Sequence, residues 1–273
     1  MPAIQPARLR QQASLLSQHF NQPAAYIRSM HYLLEFYAER IRRHGQAGKP
    51  GPMMPAYQVP HPVLRYLLQE LAPLAEQDPQ AGLELCDALW EQNFLEFRLL
   101  SSMLLGSVPV STPEPVLQRI LNWINPGLED HLIDALLVNG LDYLRKQDSQ
   151  AILALAENWL NGSTVLDKQL GMRVLSSIIR DPAFDNLPVF FRLIHPLCQS
   201  APPALRPDLL DMVEALAHRS PLETAHFLRQ TLHLPDSPQT PWLVRQVLPA
   251  FPENIQKSLR QTLRSLESSE LPA

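Results

Sequence analysis

Five short stretches of this sequence share one plan. "STPEPVLQ", "APPALRPDLL", "RSPLETAHFL", "QTPWLV" and "AFPENIQ" each lead through proline into an apolar helical pattern. Proline fits the first helical turn, where its missing N–H has no partner to lose, and it breaks a helix interior or a central strand. Each stretch therefore marks a helix beginning. With 27 prolines against 9 glycines, the chain is expected to fold as many short helices.

Between these starts the apolar residues keep helical time. In "YIRSMHYLLEFYAERIRR", Ile27, Met30, Leu33, Leu34, Tyr37 and Ile41 fall at steps of three and four. "PVLRYLLQELAPLAE", "ALWEQNFLEFRLLSSMLLG" and "QAILALAENWL" repeat the pattern, and strand-like alternation is convincing nowhere. The fold class is all-α. From residue 63 onward the starts predict about twelve helices in roughly 205 residues. Trp90, Trp123 and Trp159 recur near predicted helix ends, spaced by 33 and 36 residues. A helix pair per such period is the mark of an α-solenoid of HEAT-like antiparallel helix pairs. Residues 44–62 hold five prolines and three glycines and read as a linker or surface loop. The expected organisation is an N-terminal helical pair in 1–43, that Pro/Gly-rich loop in 44–62, and the helical-repeat domain in 63–273.

Composition narrows the function classes. The chain is 45% hydrophobic, yet no apolar run approaches the roughly 18 residues of a membrane span. The opening "MPAIQPARLRQQ" lacks an apolar signal core. Cys86 and Cys198, the only cysteines, cannot form a metal cluster or a disulfide scaffold. The expectation is a reduced, cytoplasmic, monomeric protein with no membrane contact, no metal and no cofactor. Charge is uneven. Residues 1–62 carry seven Lys/Arg against Glu35 and Glu39, whereas residues 63–273 carry 16 against 25 acids. A nucleic-acid footprint would have to come from the N-terminal segment or from a locally basic groove.

Catalytic fingerprints with glycine, serine or paired histidines at fixed spacing do not occur. Glu214 and His218 stand at i,i+4, with His226 beyond, and read as an exposed helical pair rather than metal ligands. His195, before Pro196, reads as a helix-end residue. Asp134 is the most suggestive acid. It lies at the edge of the apolar arc of Leu132, Ile133, Leu136, Leu137 and Leu141, on the polar side that Arg145 shares. That place suits a solvated boundary acid and a groove-facing carboxylate alike.

Three stretches, in order, resemble the AlkD-type DNA alkylation-repair proteins, which are HEAT-like helical repeats: "CDALWEQNFLEFRLLSSMLLG" (86–106), "WINPGLEDHLIDALL" (123–137) and "DMVEALAHRSPLETAHFL" (211–228). The resemblance spans roughly residues 63–265. It implies removal of cationic N-alkylated purines from DNA, with a groove Asp stabilising the developing sugar cation while Trp and Arg hold lesion and backbone. Asp134 matches that catalytic Asp. The family's Trp one turn earlier is Asp130 here, and the second groove Trp falls at Glu214. An expected arginine is replaced around Lys168 and Gln169, with Arg173 one turn on, and another falls at Ala217. By the resemblance, the expected function is duplex DNA binding with weak or lost glycosylase activity. The alternative is a non-catalytic scaffold for a protein partner. The basic residues expected to meet DNA are Arg40, Arg42, Arg43, Arg98, Lys146, Lys168, Arg173 and Arg245.

Overall fold

Proline opens helix after helix, as the sequence predicts. The computed structural model describes residues 5–38, 54–125, 127–182, 184–234 and 237–270. Their regular secondary structure is helical, with no strand among the described residues. The chain divides into two compact units, Met1–Gln147 and Asp148–Ala273.

The first unit contains α1 (Pro6–Ser17), α2 (Pro23–Tyr37), α3 (His61–Gln77), α4 (Pro79–Trp90), α5 (Leu95–Leu105), α6 (Glu114–Trp123), α7 (Asp130–Ala135) and α8 (Asp142–Gln147). A π-helical turn, Leu136–Gly140, joins α7 towards α8. Helices α1 and α2 pack on α3 and α4, so the N-terminal pair shares this unit's core. The second unit contains α9 (Ser149–Leu160), α10 (Val165–Ile179), α11 (Leu187–Gln199), α12 (Arg206–Arg219), α13 (Pro221–Leu232), α14 (Thr240–Val247) and α15 (Glu253–Glu270). In both units helices pack as neighbouring pairs, the arrangement of an α-solenoid. The pairs are tight. A Cβ on Gly171 of α10 would stand 2.9 Å from the Ala156 carbonyl oxygen of α9, so only glycine allows this approach.

Side-chain ties repeat at nearly the period of the sequence. Arg119 forks onto Asp87 at 2.7–3.2 Å across 32 residues. In the second unit Arg192 reaches Glu157 across 35, Arg173 reaches Asp208 across 35, and Arg180 reaches Asp211 across 31. Arg219 donates to the carbonyls of Ile179, Asp181 and Phe184, closing the C-terminal end of α10 and the loop after it. Each tie joins one helix to its counterpart a repeat away. Because most of these pairs are partly exposed, each adds little stability alone. Their common spacing fixes how successive pairs sit.

Three features depart from the sequence reading. Pro196 lies inside α11 rather than after its end, as Pro73 lies inside α3. Both fall in the last turns, where little helix remains to disturb. His195 is accordingly inside α11, edge-on to Phe227 at 6.0 Å, and not at its end. The stretch 122–148, within which the apolar arc of 132–141 keeps helical spacing, is broken. Its first part ends at Trp123, and α7 gives way to the π turn, whose Asn139 carbonyl lies 1.7 Å from where a Cβ on Gly106 would stand.

The end of the proline-rich loop is fastened down. Glu96 is 4% exposed and accepts hydrogen bonds from the Tyr57 and Gln58 amides at 3.1 and 2.7 Å. The Leu95 amide donates to the Pro55 carbonyl at 3.0 Å, and the Met54 amide to Glu129 at 2.9 Å. Tyr57 stacks on Phe94, and its hydroxyl lies 2.6 Å from His31 Nδ1.

Candidate nucleic-acid interface

Helices α4 and α6 both end in tryptophan. Trp90 and Trp123 stack with centroids 4.6 Å apart and planes 9° from parallel. Their 33-residue spacing is what places one ring on the other. Offset aromatic pairs of this kind contribute about 0.5–1.5 kcal/mol beyond area burial. Arg98, in the first turns of α5, lays its guanidinium carbon 5.2 Å from the Trp90 ring centre. Its Nε is buried and meets no hydrogen-bond acceptor. Burial lowers the Arg98 pKa from its ordinary value. Among the described residues no carboxylate pairs with it. A cation that has lost water without gaining a counter-charge is stabilised by an arriving anion. Stacked on an aromatic wall, its fork suits a phosphate.

The other expected cations are placed differently. Lys146 is held by Asp142 at 2.7 Å, which also takes Arg145 at 2.8 Å. Arg173 Nε pairs with Asp208 at 2.8 Å. Lys168 is half-buried on α10, and Arg245 is exposed on α14. Arg40, Arg42 and Arg43 lie outside the described residues. Arg98, Lys146 and Asp134 belong to the first unit, and Lys168, Arg173 and Arg245 to the second.

Asp134 is exposed on α7, one turn after the equally exposed Asp130 and just before the π turn. An α-helical spacing of four sets both acids on one face. In the second unit Ile179, Arg180, Pro182, Glu214, Ala215, His218 and Arg219 line a cleft of about 710 Å³. Glu214 and His218 are exposed on its rim. Ala217 is 1% exposed, so the position where an arginine was expected faces the core and presents nothing to a groove. No cluster of three His, Cys, Asp or Glu side chains among the described residues could hold a metal ion.

Residues 36–239 match the family model described as DNA alkylation repair enzyme. The chain belongs to the DNA alkylation repair enzyme family. No curated protein and no solved structure matches it. The family match covers the Trp90–Trp123–Arg98 stack, α7 and the second-unit cleft, and it leaves α1 and most of α2 outside. In this member, acids stand at Asp130 and Glu214, where the resemblance puts aromatic side chains. The stacked tryptophans lie at helix ends instead. Sequence reasoning used Trp90 and Trp123 only as markers of a period. Their equal place in successive helix pairs was the signal that they would meet.

Proposed function

We propose that this protein binds duplex DNA through phosphate contacts, with base-excision activity weak or lost. What carries the reading is Arg98, a partly desolvated guanidinium on the Trp90–Trp123 stack that lacks a carboxylate among the described residues. Membership of a DNA alkylation repair family supports the same partner. Lys168 supplies a second phosphate contact, as do Arg245 and the basic run Arg40, Arg42 and Arg43. Lys146 and Arg173 contribute less, because Asp142 and Asp208 already neutralise them. Asp134 keeps the position of the family's carboxylate. Asp130 and Glu214 remove the aromatic faces that would hold a cationic purine, and their charge repels phosphate.

Fluorescence anisotropy with a methylated duplex tests this. Wild-type binding should weaken linearly in log–log with salt. Arg98→Gln should weaken it by about 1–3 kcal/mol and flatten the salt slope by about one. No retention of the duplex at low salt would sink the reading. Base release from the same duplex should be slight and should fall further in Asp134→Asn. Strong release unaffected by that substitution would remove Asp134 from the chemistry.

A second reading has its own support. Tyr32, Leu222, Phe36 and Leu15 are 77, 70, 55 and 55% exposed. Three of the four lie on α1 and α2, at or beyond the edge of the family match. Exposed large apolar groups favour a scaffold that meets a protein.

A further inference from the structure

Helix α2 turns two aromatic rings to solvent. Tyr32 and Phe36 are 77 and 55% exposed. Standing four residues apart, they share one face and lie about 6 Å from each other along the axis. Arg28, one turn before Tyr32, is exposed on that face as well. The row therefore reads cation, ring, ring. Glu35 borders it on the side of Tyr57, whose pKa its charge helps to raise.

The far end of the row is held in place from α1. Arg8 lays its guanidinium carbon 4.6 Å from the Phe36 ring centre. Phe36 meets Tyr37 edge-on, with centroids 5.0 Å apart and planes at 86°. The Tyr37 hydroxyl donates to Gln12 Oε1 at 2.6 Å, which ties α2 back to α1. Arg8 also lies close enough to Tyr37 for its charge to oppose the rise in pKa that burial causes there. A second cation thus sits on the last ring.

The chemistry around the rings says what covers them. The other exposed residues of α2 are Ala24 and Glu35. The rings are flanked by charge, whereas the centre of a protein-docking face is depleted of it. Residues 1–62 carry seven Lys/Arg against two acids, while residues 63–273 carry 16 against 25, so this end of the chain has the positive balance. Rings interleaved with arginines fit a polyanion that carries flat rings of its own. The family match begins at residue 36, which leaves Arg8, Arg28 and Tyr32 outside it.

We propose that the face formed by Arg28, Tyr32, Phe36 and Arg8 binds single-stranded DNA, with bases stacked on the two rings and phosphates at the two arginines. Such stacking tolerates any sequence, because every base has a π face. A planar guanidinium on a ring keeps its N–H edge for a phosphate. The choice of DNA rests on the reading above, while the face itself makes no use of Arg98.

The test is fluorescence anisotropy of a labelled short oligothymidylate titrated with the full-length protein at low salt. The strand should bind saturably. Tyr32→Ala should weaken binding about five- to a hundredfold, the worth of one stacked base, and Tyr32→Phe should stay within about twofold of the wild type. Arg8→Gln should weaken binding and flatten the salt slope by about 0.7. Thermal unfolding of the Tyr32 variants should match the wild type, since the ring is exposed. An abasic strand of equal length and an oligoglutamate carry charge without bases. Either one bound as tightly as the oligothymidylate overturns the proposal, the second in favour of an acidic protein partner. It is also overturned by a wild type that does not bind the strand, by unchanged affinity in both Tyr32→Ala and Phe36→Ala, or by tighter binding of oligouridylate. Retention of the strand without the duplex leaves this face standing and sinks the duplex reading. Retention of the duplex without the strand does the reverse.

Discussion

Glu96 shows how one carboxylate can organise a segment remote in sequence. It is buried, and its two oxygens take the Tyr57 and Gln58 amides. Gln58 adopts φ = 56°, a left-handed conformation that costs a non-glycine residue on the order of 1 kcal/mol. The bond to Glu96 offsets that strain. Burial, with Glu35 and Glu96 nearby, raises the Tyr57 pKa above its ordinary value, so its hydroxyl remains a protonated partner for His31 through the neutral range. Removing the carboxylate in Glu96→Ala should cost about 1–3 kcal/mol, since two amides lose their acceptor. Chemical denaturation measures the loss. Hydrogen exchange should show the Tyr57 and Gln58 amides opening first, and unchanged protection there would refute the anchoring role. The proline and glycine content of 44–62 reads as a loop, and of that stretch residues 54–60 are described and stand outside any helix. Nothing in it pointed to Glu96, because an acid 38 residues away leaves no local pattern.

At the scale of elements, proline placement was readable because it obeys local chemistry. Pro113, Pro207, Pro221, Pro241 and Pro252 stand at helix entrances. What local chemistry could not show is the break after Asp134. The residues 132–141 keep helical spacing, and the π turn among them packs its Asn139 carbonyl against Gly106 at the end of α5, where a side chain has no room. Gly106→Ala should therefore destabilise strongly, by about 3 kcal/mol, since a methyl cannot share space with the Asn139 carbonyl. Thermal unfolding measures this. A variant with wild-type stability would mean that the turn relaxes to an ordinary helix. The site was half legible for the same reason. Arg98 and Asp134 could be named as candidates from their stretches, while the Trp90 ring against Arg98, and the pairing of Lys146 and Arg173 with acids, depend on which helices become neighbours.

Across the whole molecule, each unit buries one free thiol: Cys86 in the first and Cys198 in the second. Burial pushes both thiol pKa values far above the ordinary 9.0, with Asp87 adding to the effect at Cys86. The folded state thus keeps its protons where the unfolded chain releases them. Stability from these groups is complete below pH 9 and declines as pH rises, by about 1.4 kcal/mol per thiol at pH 10. Melting curves between pH 8 and 10.5 should fall for the wild type and flatten over that window in Cys86→Ala/Cys198→Ala, whose baseline will be lower. An equal decline in both would show that other groups govern alkaline unfolding. The sequence reads these cysteines as reduced residues outside any disulfide scaffold, and both are free and buried.

The ties that span 31 to 35 residues also constrain how such a chain can change length. Residues added or removed between the two partners of a tie change the separation along the chain that brings them together. A cut of a dozen residues within one of these intervals would take its arginine out of reach of its acid. Changes of length are therefore best absorbed in segments that no tie spans.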